Sequence, residues 1–308
     1  MIELQDLSLL IKKRAAELGF AACGIVEAAP VDANVRASFE RWLAGGNNGT
    51  MAYMAGHFEK RMNPTQLVEG CRSIIVVAQN YFPAASTPTI SRYAQGADYH
   101  HVVKEKLAHL LDYIREFCPV EGRAFCDSAP VLERYWAVKA GLGWCGKNHQ
   151  LIIPGAGTHF FLGELLIDIE LRYDAPYEGD HCGNCSACID ACPGKAFDAD
   201  SFDARRCLSY LTIEYGGDLP EKFDEMAENC FYGCDRCQTA CPHNRFAAPH
   251  GEPLFAPTDE LLAMTHDDWR SLTKEQFNKL FKHSAAKRCG YGRLMRNIRA
   301  TLGTENNK

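Results

Sequence analysis

Apolar residues recur at helical spacing near the start of the chain. Leu4, Leu7, Leu10, Ile11 and Leu18 share one face, and Gly19 supplies a residue suited to ending a helix. Ala21 to Val26 reads as a short strand, and Val35 to Leu43 as a second helix before the Gly-Gly-Asn-Asn-Gly loop at 45–49. Ser73-Ile-Ile-Val-Val-Ala-Gln79 is continuously apolar and β-branched, the pattern of a buried central strand. Residues 83–98, with Pro, Ser, Thr and Gly, read as a long loop, a class often functional in compact domains. Helix returns over His100 to Phe117, where Val103, Leu107, Leu110, Leu111 and Ile114 line up. Val120 to Asp127 reads as a strand, and Pro130 suits the opening of a helix that runs to Ala140. After a Gly-rich turn at 141–146, Leu151 to Pro154 and His159 to Glu170 read as two more strands. The alternation predicts an α/β (α+β) domain, a sheet covered by helices, over residues 1–176. A bacterial-ferredoxin-like domain follows at 177–245, and short helices at 246–308 are expected to pack back on the core.

Composition narrows the function. The 308 residues leave room for two domains and a substantial core, and no apolar run is long enough to span a membrane. The start, Met1 to Leu7, is acidic and helical in character rather than a secretory leader, so a cytoplasmic protein is expected. A formal charge of −6 argues against binding nucleic acid over the whole surface. Charge is uneven, however: from Lys279 to Arg299 there are seven basic residues and no acidic one. Such a run is usually a solvated helix face, but beside a redox site a polyanionic substrate fits it too.

The cysteines carry the chemistry. Cys182, Cys185, Cys188 and Cys192-Pro193 form the C-x2-C-x2-C-x3-C-P pattern of two-cluster ferredoxins, and Cys234, Cys237 and Cys241-Pro242 repeat its second half. This is the chain's only internal repeat. Three closely spaced thiolates wrap one [4Fe–4S] cube, and the cysteine before Pro crosses to the other. One set is therefore Cys182, Cys185, Cys188 and Cys241; the other is Cys192, Cys234 and Cys237 plus either Cys207 or Cys230, between which spacing does not choose. Structural zinc favours separated C-x2-4-C pairs, and 15 cysteines with no secretory leader argue against disulfides.

Clusters move electrons, so the first domain should hold the substrate or a further cofactor. Gly141-Leu-Gly-Trp-Cys-Gly146 has dinucleotide-site spacing, but it follows a predicted helix rather than a strand and reads as a turn. Asp127, at the end of a predicted strand, is a candidate proton donor; capping the following helix is the plainer role for it. The remaining cysteines, Cys23, Cys71, Cys118, Cys126, Cys230 and Cys289, read mostly as buried packing residues, and so does Cys145.

Several stretches together resemble the epoxyqueuosine reductase family, cobalamin- and iron–sulfur-dependent enzymes of tRNA modification. They are Glu59-Lys-Arg61, Ala97-Asp-Tyr-His100, Cys126-Asp-Ser128, Gly141 to Asn148, both cysteine runs, and Asp203 to Glu214. The resemblance implies that Cys207 completes the second cluster. It implies a cobalamin between the first two domains, base-off and without a protein histidine ligand; D-x-H-x-x-G is absent from the chain. It makes Asp127 the proton donor and Asp98 a second acid. Arg61, Ser91, Leu151, Leu162, Leu208 and Ser209 fall where the family contacts cobalamin, with Ser91 standing where some members have Cys. The implied reaction reduces epoxyqueuosine to queuosine at position 34 of tRNAs with a GUN anticodon, reached through the anticodon arm. Electrons would come from an external donor such as flavodoxin or ferredoxin, and a monomer is expected. The chain stops before the helical-repeat extension of longer members, which leaves the basic run at 279–299 as the candidate phosphate contact. Two other readings share the cysteines: a cobalamin-dependent reductive dehalogenase, commonly exported behind a twin-arginine leader absent here, and a plain ferredoxin-type carrier, which needs no first domain.

Overall fold

The computed structural model describes residues 4–197 and 201–303; Met1 to Glu3 of the acidic start lie outside them. Among the described residues there are six strands: β1 (Ala22–Glu27), β2 (Ser73–Asn80), β3 (Gly122–Phe125), β4 (Trp144–Cys145), β5 (Leu151–Ile152) and β6 (Phe160–Ile167). The main sheet runs β1-β2-β6-β3, with every neighbouring pair antiparallel, and β4 pairs with β5 alone. The helices of this part are α1 (Leu4–Glu17), α2 (Ala33–Ala44), α3 (Phe58–Met62), α4 (Tyr99–Arg115) and α5 (Glu133–Lys139).

The sheet is covered on both faces, which is why β2 carries no polar alternation. Ile75, Val77, Leu165 and Ile167 pack on Leu7 and Ile11 of α1 and on Val103, Leu107 and Leu110 of α4. On the other face Ile74, Val76, Leu162 and Leu166 meet Trp136 and Ala137 of α5. Each such buried side chain contributes about 1.5–3 kcal/mol. Gly163 is required by the close approach of α4: a Cβ there would stand 2.6 Å from Val103 Cγ1. An antiparallel sheet with two covered faces reads in sequence like a parallel one, so the α+β form of the expected fold is the one realised.

Two boundaries bear on the site. Strand β3 stops at Phe125, and α5 starts at Glu133 with Leu132, not Asp127, at its N-cap. Asp127 therefore caps nothing and sits in the intervening loop with φ 48°, a left-handed backbone rare outside glycine. Asp98 does cap a helix: its carboxylate accepts from the His100 N–H at the start of α4.

Beyond the sheet, α6 (Ala187–Asp190), α7 (Leu208–Ile213), α8 (Phe223–Ala227) and α9 (Arg236–Thr239) surround the cysteine runs. Apolar cores beside the sulfurs are small: Trp144 with Ile152 and Cys241, Cys192 with Ala196 and Phe197, and six buried residues including Leu208, Leu211 and Phe223, against which Cys207 and Cys234 pack. Helices α10 (Asp259–Leu262), α11 (His266–Arg270), α12 (Lys274–Leu280) and α13 (Gly290–Leu302) close the chain. Trp269, Phe277, Phe281, Leu294 and Ile298 pack there against Ile90, Phe231 and Tyr232. No helix among the described residues is long and apolar enough to cross a membrane.

Candidate active site and cluster-binding module

The cysteines gather in two groups. Cys182, Cys185, Cys188 and Cys241 line one pocket, beside which Lys147 Nζ donates to the carbonyls of Gly183 (2.6 Å) and Cys185 (3.0 Å). Cys192, Cys207, Cys234 and Cys237 form the other. Burial first, and then the charges of Cys234, Cys207 and Cys192, raise the Cys237 thiol far above its usual range. Cys234 is pushed up to about 12 by burial, with Cys207 among its charged neighbours, and Cys207 is raised by burial and then by Cys192. Cys230 is not part of this ring: its Sγ lies against the carbonyls of Tyr232 (3.5 Å) and Gly233 (3.3 Å), and its charged neighbours are Cys234, Asp235 and Arg236. Among the described residues, no three His, Cys, Asp or Glu side chains close on a single metal ion. The first set rings a cavity instead of a point, and thiols this desolvated become thiolates only around a cationic core, which an iron–sulfur cube provides.

A second set of polar groups surrounds Asp127, whose side chain is 65% exposed. Tyr99 Oη donates to Asp127 Oδ2 at 2.6 Å, and His100 Nε2 lies 3.9 Å from the same oxygen. The Tyr99 ring is stacked on Phe161 at 4.1 Å, so the sheet fixes the hydroxyl that fixes the acid. Burial, then the Asp127 charge, moves the Tyr99 phenol far upward, which keeps it a donor. His100 Nδ1 is 2.6 Å from Asp98 Oδ1. Burial opposes ionisation of Asp98, but its hydrogen bonds from His100 hold the carboxyl below its ordinary value. Asp98 is thus the helix cap that orients His100, and its backbone N–H donates to His283 O at 2.5 Å, bringing the C-terminal segment to the site. At the rim, Tyr53 is half exposed with the Arg288 guanidinium 5.7 Å over its ring.

Residues 61–128 match the family model described as epoxyqueuosine reductase QueG, DUF1730, and residues 181–244 match that of a 4Fe-4S double cluster binding domain. An epoxyqueuosine reductase of Cellulophaga algicola is 46% identical over 295 residues, 94% of this chain and 96% of that one. The chain belongs to the epoxyqueuosine reductase family. A crystal structure of epoxyqueuosine reductase with a tRNA-Tyr epoxyqueuosine-modified stem loop matches at TM-score 0.87 and 28% identity, over 97% of this chain and 82% of that one. The Bacillus subtilis epoxyqueuosine reductase, solved with an aspartate catalytic loop swung out of the active site, matches at TM-score 0.87 and 27% identity, over 97% and 82%. A reductive dehalogenase structure from work on B12-dependent dehalogenation shares the fold alone, at 16% identity and TM-score 0.51, over 96% of this chain and 38% of that one.

The residues that family resemblance assigns to cobalamin fall into two kinds. Leu151, Leu162 and Leu208 are buried apolar side chains, and Ser209 beside Leu208 is partly exposed. Arg61 is 7% exposed, donates from Nη2 to Tyr53 O at 3.1 Å, and leaves its buried Nε without a partner. Ser91 is used internally: its Oγ bonds Asp235, next to Cys234, and its backbone N–H donates to Tyr232 O.

Sequence reasoning missed several groups here. Tyr99 and His100 stand in the Ala97-Asp-Tyr-His stretch, where the order of an acid, a phenol and an imidazole was the available signal. Arg134 carries charge toward Tyr81, Cys145 and His149 as well as Glu133. Glu133 and Glu164 gave no signal that periodicity could use. The basic run is also not one free face. Arg296 donates to the carbonyls of Leu211, Tyr215 and Gly217 (2.7, 2.9 and 2.7 Å), Arg293 bonds Ile213 O, Arg288 pairs with Glu214 and Lys279 with Glu260. Two of the seven thus cap the end of α7, because its last carbonyls need donors. Lys282, Lys287 and Arg299 remain exposed.

Proposed function

We propose that this chain reduces epoxyqueuosine to queuosine in tRNA, with Asp127 as the proton donor. One observation carries the reading: an exposed carboxyl, held by a buried phenol in a left-handed loop, stands in a chain that also gathers two rings of four cysteines. The cluster ligands are Cys182, Cys185, Cys188 and Cys241 for one [4Fe–4S] centre, and Cys192, Cys207, Cys234 and Cys237 for the other. The three parts are a sheet domain at 1–176, a cluster domain at 177–245 and a helical segment at 246–308.

A corrinoid fits the residues present. Arg61 is a buried guanidinium with an idle donor, and the amide carbonyls that fringe a corrin ring are acceptors. Leu151, Leu162, Leu208 and Ser209 would complete its surroundings; Ser91 supports Asp235 instead. When bound, the clusters and the corrinoid supply the two low-potential electrons that the reaction consumes. Epoxide, two electrons and two protons give alkene and water. Asp127 delivers a proton to the epoxide oxygen as its carbon–oxygen bonds break, Tyr99 holds the carboxyl in place, and Asp98 orients His100 beside it. The substrate is the anticodon arm of a tRNA with a GUN anticodon, and Lys282 and Lys287 provide phosphate contacts near the segment that bonds Asp98. An external one-electron donor, flavodoxin or ferredoxin, feeds a monomeric cytoplasmic enzyme.

The test is anaerobic loading with iron, sulfide and cobalamin, followed by assay on epoxyqueuosine-containing tRNA. About eight irons and one cobalt per chain are expected, with queuosine formed. Asp127→Asn should keep both metals and lose about 100- to 10,000-fold in turnover, the range for a general acid. Iron without cobalt binding would leave an electron carrier and overturn the reading.

A further inference from the structure

Glu164 is an anomaly in the sheet. It lies in the middle of β6, opposite Val76 of β2 and Phe125 of β3, and is 0% exposed. Its side chain shares the face of Leu162 and Leu166, the apolar layer under Trp136 and Ala137 of α5. Neither carboxyl oxygen has a hydrogen-bond partner of normal geometry. No cation answers it: after burial, the groups acting on it are Glu133, by its charge and by side-chain hydrogen bonding, and then Asp127, both acidic. A carboxylate cannot stay ionised in such a place, so Glu164 keeps its proton and has a donor to spend.

The carboxyl that faces it is already engaged on its far side. Glu133 Oε1 accepts the backbone N–H of Asp127 at 2.5 Å. That bond holds a loop residue in the left-handed region at φ 48°, which is uncommon for a residue with a Cβ even though aspartate reaches it more readily than most. The other groups around the pair are Arg134 on α5, Asp127 and Cys126 after β3, and Tyr99 and Lys104 on α4, which act on Glu133 or Cys126. Of these the Asp127 N–H and the Arg134 charge favour an ionised Glu133, while the Asp127 carboxylate opposes it.

We propose that Glu164 and Glu133 share one proton behind the catalytic loop, and that this shared proton fixes the backbone from which Asp127 presents its carboxyl. Glu164 donates to Glu133, and Glu133 accepts from Asp127 N–H. Removing the proton sets two carboxylates against each other in an apolar layer, Glu133 turns away, and the Asp127 loop loses its anchor. Glu164 is a positioning residue, acting through Glu133 and the backbone of Asp127 and touching no substrate. The proposal rests on the function stated above, since it assigns the pair a role in presenting the proton donor.

Glu164→Leu and Glu164→Gln in the fully loaded enzyme test it. Leu fills the layer without a donor, so thermal stability should hold or rise, because an apolar replacement suits such a site. Turnover should nevertheless fall on the order of 100-fold, as for a misplaced catalytic group, with KM for tRNA little changed. Gln restores a neutral donor, so it should recover most of that loss and lack the decline in turnover at alkaline pH that is expected of the wild type. Independently of activity, infrared spectra at neutral pH should show a protonated carboxyl C=O band that Glu164→Gln abolishes. Wild-type turnover and pH profile in Glu164→Leu would overturn the proposal, as would the absence of that band. If the loaded wild type fails to reduce epoxyqueuosine in tRNA, the function falls, while the infrared band still reports on the shared proton.

Discussion

The sheet domain and the cluster module are held together by different physics. Around β2 and β6, two broad apolar layers bury the side chains of α1, α4 and α5, and the sheet needs nothing but its own residues. The cluster module has short helices and cores of three to six buried residues beside its sulfurs. Its eight clustered thiols are a cost until a cationic centre binds them, because burial raises most of their pKa values and desolvated thiols carry no useful charge. One region is stable and then shaped into a site; the other becomes stable by filling its site.

The sharpest way to break that contrast is to take the iron away. Chelation under anaerobic conditions should abolish amide-exchange protection over residues 182–241 while β2 and β6 keep theirs. A cooperative loss of both regions together would mean that the sheet also depends on the clusters. Single changes refine the result. Cys207→Ser should remove one cluster, leaving about four of eight irons, whereas Cys230→Ser should leave iron content unchanged because Cys230 stands outside both rings. Equal losses would show that the ring of Cys192, Cys207, Cys234 and Cys237 is misassigned.

The converse change tests the sheet. Leu165 is fully buried on β6 against α4. Leu165→Ala should cost about 2–5 kcal/mol of unfolding free energy, measured by denaturant melting, with iron content per folded chain the same as wild type. Loss of iron in step with loss of stability would mean that the two regions do not separate.

How legible each region is in sequence follows from the same difference. Cluster ligands sit at fixed short spacings because one cube must be wrapped by neighbouring residues, so seven of the eight proposed ligands could be read directly. The eighth was ambiguous by spacing because Cys207 comes from a separate segment; family resemblance pointed to Cys207, and in the folded chain Cys207 lies beside Cys192, whereas the charged neighbours of Cys230 are Cys234, Asp235 and Arg236. Helices α1 and α4 and strand β2 were readable from periodicity. The antiparallel pairing of β2 with β6 was not, since register lives between strands that are about 90 residues apart along the chain. Asp127 was singled out, but its rival role as a helix cap disappeared only when α5 began at Glu133. Glu164 was hidden for the opposite reason: one acid inside an apolar strand looks like an alternation defect until its neighbours are known. The basic run misled in part because donors that cap α7 and donors free for phosphate have the same letters.

The smallest predicted effect lies within the sheet domain, where a pair of carboxyls interrupts an otherwise apolar layer. Burial first, and the Asp127 charge second, push the Glu133 carboxyl up to about 8 from its ordinary 4.5. The folded state therefore holds a proton that the unfolded state releases above its own value. The stability this contributes is fully present below about pH 4.5 and is lost as pH rises through about 8. The slope for one proton is at most about 1.4 kcal/mol per pH unit. Other groups act in the same window with the opposite sign: His159 is held down to about 4 by burial, so it adds stability as pH rises toward its ordinary value. The difference between wild type and the double variant Glu133→Gln, Glu164→Gln isolates the pair. Unfolding free energy of wild type relative to that variant should decline from pH 5 to pH 8, and a flat difference would show that the pair takes up no proton on folding. In that case the sheet domain, like the cluster module, would carry an uncompensated charge of its own, and the contrast between a self-sufficient sheet and a metal-dependent module would weaken.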